Sequence, residues 1–553
     1  MLNNLRFREN KSYFLVFLLI LIVTILGLSL DLINPDAALY GTISKTIYEN
    51  NDFINLYSLG YDWLDKPHLP FWLTAISFKI FGVSNFAYKI PGVLVFFLGI
   101  WMTYKFTKEN YNKKTAFIAA IILATATHSV ISNFDVRAEP YLTGFIIASL
   151  YYTDRFLKLN KFYYLILACL FSAFAIMTKG IFALIPIVFA LFGELVVKQN
   201  WKQLLNPIWF IAAFLIIIFI LPEIYTLYIQ FDLHPEKIVF DKTNTSGIKF
   251  FFWDSQFGRF FNTAPIKGSG DKFFFFHTIL WAFLPWGILF YIASFFKIKQ
   301  NIKKVAKKQE FYTIFGSLFT ILIFSLSKFQ LAHYTNIVFP FMAIIVADFI
   351  FKLEKHYQKS LKSYRVILWF QNILGLLLIT YLFFIIKPEI NYFFFVLLIA
   401  SFFLFKVIRN SKENKSLKLF FFSCLIFLNI YSFLFTHFYP TILEYQGGVT
   451  AARFVNNNYA NKGSLIDNKQ KHFGFEFYLK EPLKRVDSLQ ISKEKDRIFF
   501  VDKNEYQLLL RHNINFKIIK EIDNFRVSKI NSKFLNSNTR KTALDKKYLV
   551  QIK

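Results

Sequence analysis

Long runs of apolar residues alternate with short polar segments up to about residue 440. Most runs approach the roughly 20 residues that an α-helix needs to cross a bilayer, and tilt or local thinning accommodates the shorter ones. None has the alternating pattern of a membrane-embedded β-strand, so helices must satisfy the backbone. We therefore predict a polytopic α-helical membrane protein with about 13 transmembrane helices. They lie near residues 13–30, 86–104, 115–132, 139–157, 162–177, 181–197, 208–226, 273–296, 311–326, 332–351, 366–386, 391–408 and 419–438.

Two loops between the apolar runs are long, and the composition becomes polar and mixed after the last apolar run. The loops cover residues 31–85 and 227–272. We predict that residues 1–439 form a transmembrane domain, and that the polar, mixed residues 440–553 form a small α/β domain with its own core. The elements predicted in this C-terminal part are strands at 473–479 and 497–502 and helices at 451–457 and 505–511.

The N-terminal segment resembles a signal peptide, because Arg6, Arg8 and Lys11 precede an apolar run. The run is as long as a full membrane span, however, and no convincing small-residue cleavage site follows it. We expect an uncleaved first helix.

Basic residues are concentrated in alternate loops, which predicts the orientation of the chain. With the N-terminus in the cytoplasm, the short outer turns contain one basic residue each, namely Arg137, Lys179, Lys328 and Lys387. The inner loops contain many more, among them Lys105, Lys108, Lys113, Lys114, Arg155, Lys158, Lys198, Lys202, Lys406 and Arg409. The long loops and the C-terminal domain are therefore predicted to face the periplasm of a bacterial inner membrane.

The composition agrees with this class of protein: 55% of the 553 residues are hydrophobic and 74 are Phe. A net charge of +29 would also suit a nucleic-acid-binding protein. The basic residues lie in loops between apolar runs rather than on one face of a domain, so we expect no nucleic acid partner. Cys169 and Cys424 both lie within apolar runs and predict neither a disulfide framework nor a metal site.

Isolated charged and polar residues occur at the predicted outer ends of the helices. Charge bias between loops does not explain these residues, and several could act on a lipid headgroup. Simpler roles stay open: a lysine can snorkel, an acid can complement a helix dipole, and aromatic residues form a membrane-interface belt. The candidates are Asp36, Tyr40, Asp65, Lys66, His68, Asp135, Glu139, Lys179, Arg259, Lys328, His333 and Tyr334.

Five motifs in residues 15–345 together resemble one family. They are Pro35-Asp36-x-x-x-Tyr40, Asp65-Lys66-Pro67, Thr178-Lys179-Gly180, Arg259-Phe260, and Ser325 with Lys328, Leu331 and Tyr334. In this order they resemble the ArnT-like and protein O-mannosyltransferase-like enzymes, which are glycosyltransferases of the GT-C type. The flanks depart from the usual pattern: Ala37, Leu39, Asp65 and Ala332 replace an acid, a base, a Glu and a Pro.

The resemblance implies transfer of a sugar from a polyprenyl-phosphate-linked donor, at the outer face of the membrane and in contact with its lipids. The acceptor is a lipid A-like lipid, a glycan or a protein. The phosphate leaving group is already anionic, so cations rather than a general acid are needed, and one base then suggests single displacement with inversion. The roles implied are catalysis for Asp36, Glu139 and Asp65, donor phosphate binding for Lys66, Lys179 and Arg259, and substrate binding for Tyr40, His68, Lys328, His333 and Tyr334.

No cofactor is implied with certainty, and the spacing of the histidines marks no metal ligands. The resemblance leaves a divalent metal open, although many relatives have a metal-binding His where Gln256 stands here.

Two other functions would also use many membrane helices. A transporter or lipid flippase predicts charges or broken helices near the middle of the membrane and internal symmetry, none of which the sequence pattern indicates. A membrane scaffold that displays the C-terminal domain leaves the outer charges unexplained.

Overall fold

The computed structural model describes residues 2–263, 267–302, 309–460, 463–467, 470–481, 483–486 and 493–553. The N-terminal half contains a first helix, the long loop with two helices and a hairpin, and a bundle. Its elements are α1 Leu2–Leu28, α2 Asp36–Asn50, β1 Tyr57–Ser58, β2 Tyr61–Asp62, α3 Leu69–Phe81, α4 Asn85–Asn110, α5 Lys113–Thr125, α6 Thr127–Phe134, α7 Glu139–Leu159, α8 Phe162–Lys179, α9 Ile185–Val197, α10 Trp201–Leu204, α11 Ile208–Leu227 and α12 Gly247–Lys249.

The second half of the bundle continues from the other long loop, where Phe250–Gly258 forms a π-helix. Its helices are α13 Phe274–Ala282, α14 Gly287–Ile302, α15 Tyr312–Leu326, α16 Phe339–His356, α17 Leu361–Ile386, α18 Tyr392–Arg409, α19 Lys415–Phe433 and α20 Tyr439–Leu443. Large apolar side chains on α11, α17 and α18 are exposed, such as Phe210 (81%) and Phe384 (68%), as expected for surfaces that face lipid.

Each of the 13 predicted apolar runs is helical, but the predicted number of full spans is not confirmed. Within the described residues, eight helices are long and apolar enough to cross a membrane, and ten if each of two bent pairs is one span. Tyr312–Leu326 and Ile181–Val197 are shorter apolar helices. α9 and α15 pack closely at Gly193, where any Cβ would collide with the Phe315 ring.

Two predicted runs, 115–132 and 273–296, are broken helices, contrary to the sequence pattern. α5 and α6 meet at 55°, and α13 and α14 at 116°. Pro285 lies in the second break, where it cannot donate a backbone hydrogen bond. The breaks contact each other: Thr127 N–H donates to the Leu284 carbonyl oxygen (3.0 Å), which satisfies backbone groups that the breaks free.

The C-terminal region contains a five-stranded sheet of order β4-β3-β5-β7-β6. β3 is parallel to β4 and β5, whereas β7 is antiparallel to β5 and β6. The predicted buried strand at 497–502 and both predicted helices are confirmed. The elements are α21 Gly447–Asn458, β3 Ser464–Asp467, α22 Phe473–Tyr478, β4 Leu483–Val486, β5 Ile498–Asp502, α23 Lys503–Arg511, β6 Phe516–Asn524, α24 Ser532–Leu535 and β7 Asp545–Ile552.

The predicted strand at 473–479 is wrong, because this segment is helix α22. Its alternating Phe residues have two different cores to fill. Phe473 and Phe477, one helical turn apart, pack into the core of the bundle, whereas Phe475 faces the sheet and stacks on Phe500 with ring centroids 4.6 Å apart. A helix buried on both sides therefore produces a pattern that is typical of a strand.

Candidate active site

The first outer loop presents Asp36 at the start of α2, where it forms an ion pair. Arg137, from the turn between α6 and α7, donates to Asp36 Oδ2 (2.6 Å) and to Asp135 Oδ2 (2.7 Å). Burial alone would lower the pKa of Arg137, but Asp135 and Asp36 raise it, so the guanidinium stays charged. The Asp36 side chain is 49% exposed, so its carboxylate is both held and accessible.

Asp65 and Lys66 meet Arg259 from the end of the π-helix. Lys66 Nζ lies 2.5 Å from Asp65 Oδ2, and Arg259 bonds to the other oxygen of the same carboxylate. Burial would raise the pKa of Asp65, but the two cations lower it to about 2. Burial lowers the pKa of Lys66 to about 8, although Asp65 partly offsets this effect. Two cations therefore share one carboxylate, which leaves them hydrogen-bonding capacity for a further anion.

Lys179 is the third cation, and it is the last residue of α8, just before a tight turn. Its Nζ lies 2.7 Å from Glu139 Oε1 and 4.2 Å from the centroid of the Tyr334 ring. Glu139 opens α7, and His333 Nε2 lies 3.6 Å from the same Glu139 oxygen. Glu139 is only 3% exposed, so its charge is compensated locally.

Gln256, from the π-helix, supports this turn. Its Nε2 donates to the Lys179 carbonyl oxygen (3.0 Å). Gly180 has φ +96°, and a Cβ there would collide with the Gln256 side-chain amide. The turn thus requires glycine for both conformation and space. In the part of the chain that the structure describes, no group of three or more His, Cys, Asp and Glu residues could hold a metal ion.

An open cavity joins these groups. Its polar wall contains Asp65, Lys66, Lys179, Glu223 and Arg259, and the remaining wall is mainly aromatic and aliphatic. The apolar part of the wall includes Leu64, Leu142, Leu227, Phe182, Phe250, Phe251, Phe260, Phe324, Phe329 and Ile337. Tyr334 and Gln256 also line the cavity. Five residues predicted from the sequence therefore meet at one cavity: Asp65, Lys66, Lys179, Arg259 and Tyr334.

Asp36, Glu139 and His333 are not among the lining residues within the described ranges, although the last two connect to this site. Glu139 and His333 reach it through Lys179. Tyr40, one turn beyond Asp36, packs edge-on against Phe71 with ring centroids 5.3 Å apart. Burial raises the pKa of Tyr40, and the charges of Asp65 and Glu139 raise it further, so Tyr40 lies within electrostatic reach of both acids.

His68 and Lys328 are placed differently from the cavity residues. His68 is 1% exposed, and its Nδ1 lies 3.0 Å from Glu223 Oε1 while its Nε2 lies 3.0 Å from the Ile54 carbonyl oxygen. Lys328 donates its backbone N–H to the Phe260 carbonyl oxygen (3.0 Å), and its neighbours Ser327 and Phe329 line the cavity.

Sequence reasoning missed two residues of the bundle that hold the first loop in place. Glu223, within α11, also accepts the His68 backbone N–H (3.0 Å). Gln230 donates to the Leu56 carbonyl oxygen and to Asp62, and accepts the Leu56 N–H. A buried glutamate within an otherwise apolar run is the signal that could have identified Glu223.

Comparisons with known proteins agree with the motifs. The family model described as dolichyl-phosphate-mannose-protein mannosyltransferase matches residues 65–225. An uncharacterized protein of Aquifex aeolicus is 26% identical over 65% of this chain and 67% of its own. The undecaprenyl phosphate-alpha-4-amino-4-deoxy-L-arabinose arabinosyl transferase 1 of Proteus mirabilis is 25% identical over 64% of this chain. The aligned part of the chain spans about three-fifths of that transferase's length (61%).

The fold is similar to that of ArnT from Cupriavidus metallidurans. The crystal structure with bound undecaprenyl phosphate has a TM-score of 0.76 at 15% identity, over 98% of both chains. The apo structure has a TM-score of 0.74 at 14% identity, over 97% of both chains. The predicted fold class and the resemblance read from the motifs are therefore confirmed, and the chain has an ArnT-like fold of the GT-C type.

Proposed function

We propose that this protein transfers a sugar from a polyprenyl-phosphate-linked donor to a hydroxyl group of a lipid A-like lipid, a glycan or a protein. The arabinosyl transferases that it resembles are named for an undecaprenyl-phosphate-linked amino sugar, and the ArnT crystal structure of similar fold is bound to undecaprenyl phosphate. Both support a donor of this class. The reaction takes place at the outer face of the bacterial inner membrane.

The observation that carries the proposal is the convergence of Lys66, Lys179 and Arg259 on one cavity with an aromatic wall. A phosphate joined to an isoprenoid has the same two parts, an anion and an apolar tail. Charge-assisted hydrogen bonds from the cations would hold the phosphate and stabilise the charge that develops as the sugar leaves. The apolar wall would hold the first isoprene units.

Asp36 is the base in this proposal. Its carboxylate takes the proton of the acceptor hydroxyl, the acceptor oxygen bonds to the anomeric carbon, and the bond from that carbon to the phosphate oxygen breaks. The polyprenyl phosphate leaves as an anion, so the anomeric configuration inverts in a single displacement. Asp36 is half exposed and oriented by Arg137, which suits a group that must meet an acceptor from outside.

Asp65 and Glu139 have supporting roles here rather than that of the base. The low pKa of Asp65, about 2, makes its carboxylate a weak base, and its two oxygens orient Lys66 and Arg259. Glu139 orients Lys179 in the same way. His68 fixes the loop through Glu223. Tyr334 would contact the bound substrate, and Tyr40, Lys328 and His333 stay predictions as substrate contacts.

The test is sugar transfer in proteoliposomes that contain undecaprenyl-phosphate-linked 4-amino-4-deoxy-L-arabinose, with lipid A supplied on the outer side. We expect release of undecaprenyl phosphate together with glycosylated acceptor. Movement of intact donor across the bilayer without released undecaprenyl phosphate would indicate a transporter instead. Mass spectrometry of envelope glycolipids and glycoproteins, with and without the protein, would identify the natural acceptor.

A separate experiment tests the orientation. Alkaline phosphatase fused after Lys553 and, in a second fusion protein, after Asn262 should be active in both cases, because both positions are predicted to be periplasmic. If the fusion at Asn262 is active and the C-terminal fusion is inactive, the two positions lie on opposite sides of the membrane. That result would contradict the predicted odd number of spans.

A further inference from the structure

The backbone just before Asp36 is held by side chains from the C-terminal region, in addition to hydrogen bonds from the first turn of α2. Gln446 Oε1 accepts the Asn34 N–H (2.8 Å), and Gln446 Nε2 donates to the Leu32 carbonyl oxygen (3.0 Å). Tyr478 Oη accepts the Leu32 N–H (2.8 Å). Three backbone groups in the residues that lead to Asp36 therefore depend on two distant side chains.

The same surfaces are in close steric contact. A Cβ on Gly474 would lie 2.5 Å from Asn34 Nδ2, and one on Gly41 would lie 2.8 Å from the Phe477 ring. Lys45, which is only 7% exposed, donates to the carbonyl oxygens of Phe477 (3.3 Å) and Leu479 (2.5 Å) at the end of α22. Helix α22 therefore packs closely against the middle of α2 and against Asn34, with little freedom to slide.

From these contacts we infer that Gln446 and Tyr478 are positioning residues for Asp36, so that the C-terminal region sets the placement of the base. This inference rests on the proposed function of Asp36. Gln446 is 2% exposed and makes hydrogen bonds to both sides of the peptide segment 32–34, which fixes the segment's direction as well as its position. A displacement of about 1 Å at a reacting group can cost on the order of 10²-fold in rate.

A matched control exists, because the C-terminal region has a second buried tether to the bundle. Arg540 is 8% exposed, and its guanidinium donates to the carbonyl oxygens of Ile386 (3.1 Å) and Phe534 (3.0 Å). This tether lies at the end of α17. Its guanidinium also lies over the ring of Tyr445, the neighbour of Gln446 (5.3 Å to the centroid), but within the described residues it makes no hydrogen bond to the segment before Asp36. Loss of Arg540 tests general loosening of the C-terminal region, whereas loss of Gln446 tests placement of Asp36.

The experiment compares Gln446→Met, Tyr478→Phe and Arg540→Met with the full-length wild type in nanodiscs. The first readout is hydrogen–deuterium exchange of peptides that contain residues 30–40, which needs no donor. The second is the rate of undecaprenyl phosphate release from undecaprenyl-phosphate-linked 4-amino-4-deoxy-L-arabinose in the presence of lipid A. Tyr478→Phe removes one hydroxyl and keeps the ring, so it provides a mild variant if Gln446→Met does not fold.

We expect faster exchange in residues 30–40 for Gln446→Met and Tyr478→Phe but not for Arg540→Met. We expect kcat to fall about 10²-fold for Gln446→Met and about 3- to 10-fold for Tyr478→Phe, with the donor KM within about twofold, since the phosphate-binding cations are untouched. Unchanged exchange, or an equal loss of kcat in Gln446→Met and Arg540→Met, would overturn the inference. A wild type that releases no undecaprenyl phosphate would count against the proposed function alone, while the exchange result would still decide whether these side chains hold the segment.

Discussion

Two clusters of buried charge lie at opposite ends of the bundle, and they are built differently. At the end predicted to face the cytoplasm, Lys297 Nζ lies 2.5 Å from Glu310 Oε1 and 2.8 Å from Thr313 Oγ1. Glu310 also accepts from the hydroxyl of Tyr111 and from Thr313. Lys297 and Glu310 are 4% and 2% exposed, so this pair is sealed inside the protein.

The cluster at the other end is open and rich in cations. Lys66 and Arg259 share Asp65, and Lys179 is held by Glu139, beside the open cavity. A sealed pair with satisfied hydrogen bonds affects only the stability of the fold, because no ligand can reach it. Three cations that are paired with only two carboxylates, Asp65 and Glu139, and lie next to a cavity can instead take up an anion from outside. Connection to a cavity, rather than burial of charge, therefore distinguishes a candidate site from a structural ion pair.

The largest effect on turnover is expected at Asp36, the proposed base, which lies at the same end of the molecule as the open cluster. Asp36→Asn should lower kcat by roughly 10²–10⁴-fold with donor binding largely kept, because the amide cannot accept the proton. The measurement is the turnover of undecaprenyl-phosphate-linked sugar at saturating donor. Near-normal turnover would move the role of base to Glu139 or Asp65.

The sealed cluster should respond in stability and not in activity. Lys297→Met leaves Glu310 buried without its cation and should cost about 3–5 kcal/mol of unfolding free energy. Thermal unfolding of the purified protein would measure the loss, and kcat per folded molecule should stay the same. A Lys297→Met protein that is stable but inactive would break the distinction between the two clusters.

Substitutions in the open cluster should lower activity while leaving stability nearly unchanged. Lys66→Met should cost about 2–4 kcal/mol of transition-state stabilisation, since a charge-assisted bond to the phosphate is lost, while stability changes little. Arg259→Lys keeps the charge but loses the planar fork and should also be impaired. Full transfer by a variant altered at Lys66, Lys179 and Arg259 together would remove the role of these cations in phosphate binding.

The open cluster should also be sensitive to pH in the alkaline range. The pKa of Lys66 is lowered to about 8, so its ammonium is charged below that pH and neutral above it. The value of kcat/KM for the donor should therefore fall by up to about tenfold per pH unit above pH 8, because a neutral amine holds phosphate poorly. In Lys66→Arg this decline should disappear, since the guanidinium stays charged. A decline at the same pH in both proteins would assign it to another group.

The smallest effect is expected at Lys328. Its contact with the site is through its backbone, so Lys328→Met should change kcat/KM by no more than about twofold, as for other surface substitutions. A loss as large as that for Lys66→Met would bring Lys328 into the group of phosphate-binding cations.

Much of the bundle and of the cavity could be predicted, because the responsible signals are local in sequence. Apolar runs predict the helices, and each of the short motifs at Lys66, Lys179 and Arg259 contains one cation. What the sequence could not predict depends on contacts across the fold. The partnership of His68 with Glu223 joins residues 155 positions apart, and the break between α5 and α6 is stabilised by Leu284 from the break between α13 and α14. The alternating pattern at 473–479 gave a wrong prediction for the same reason, because α22 packs against two hydrophobic cores formed by residues distant from it in sequence.

The attachment of the first loop also sets when the protein can become reactive during its synthesis. Gln446 and Tyr478 lie 412 and 446 positions after their partners Asn34 and Leu32. At about 5–20 residues per second, the ribosome needs roughly 20 to 90 seconds to reach them after Asp36 has been made. Until then the segment before Asp36 lacks the hydrogen bonds that hold it in place. A nascent or truncated chain that is inserted in the membrane but lacks residues 446 and 478 would therefore meet lipid-linked sugars before the proposed base, Asp36, is held in place.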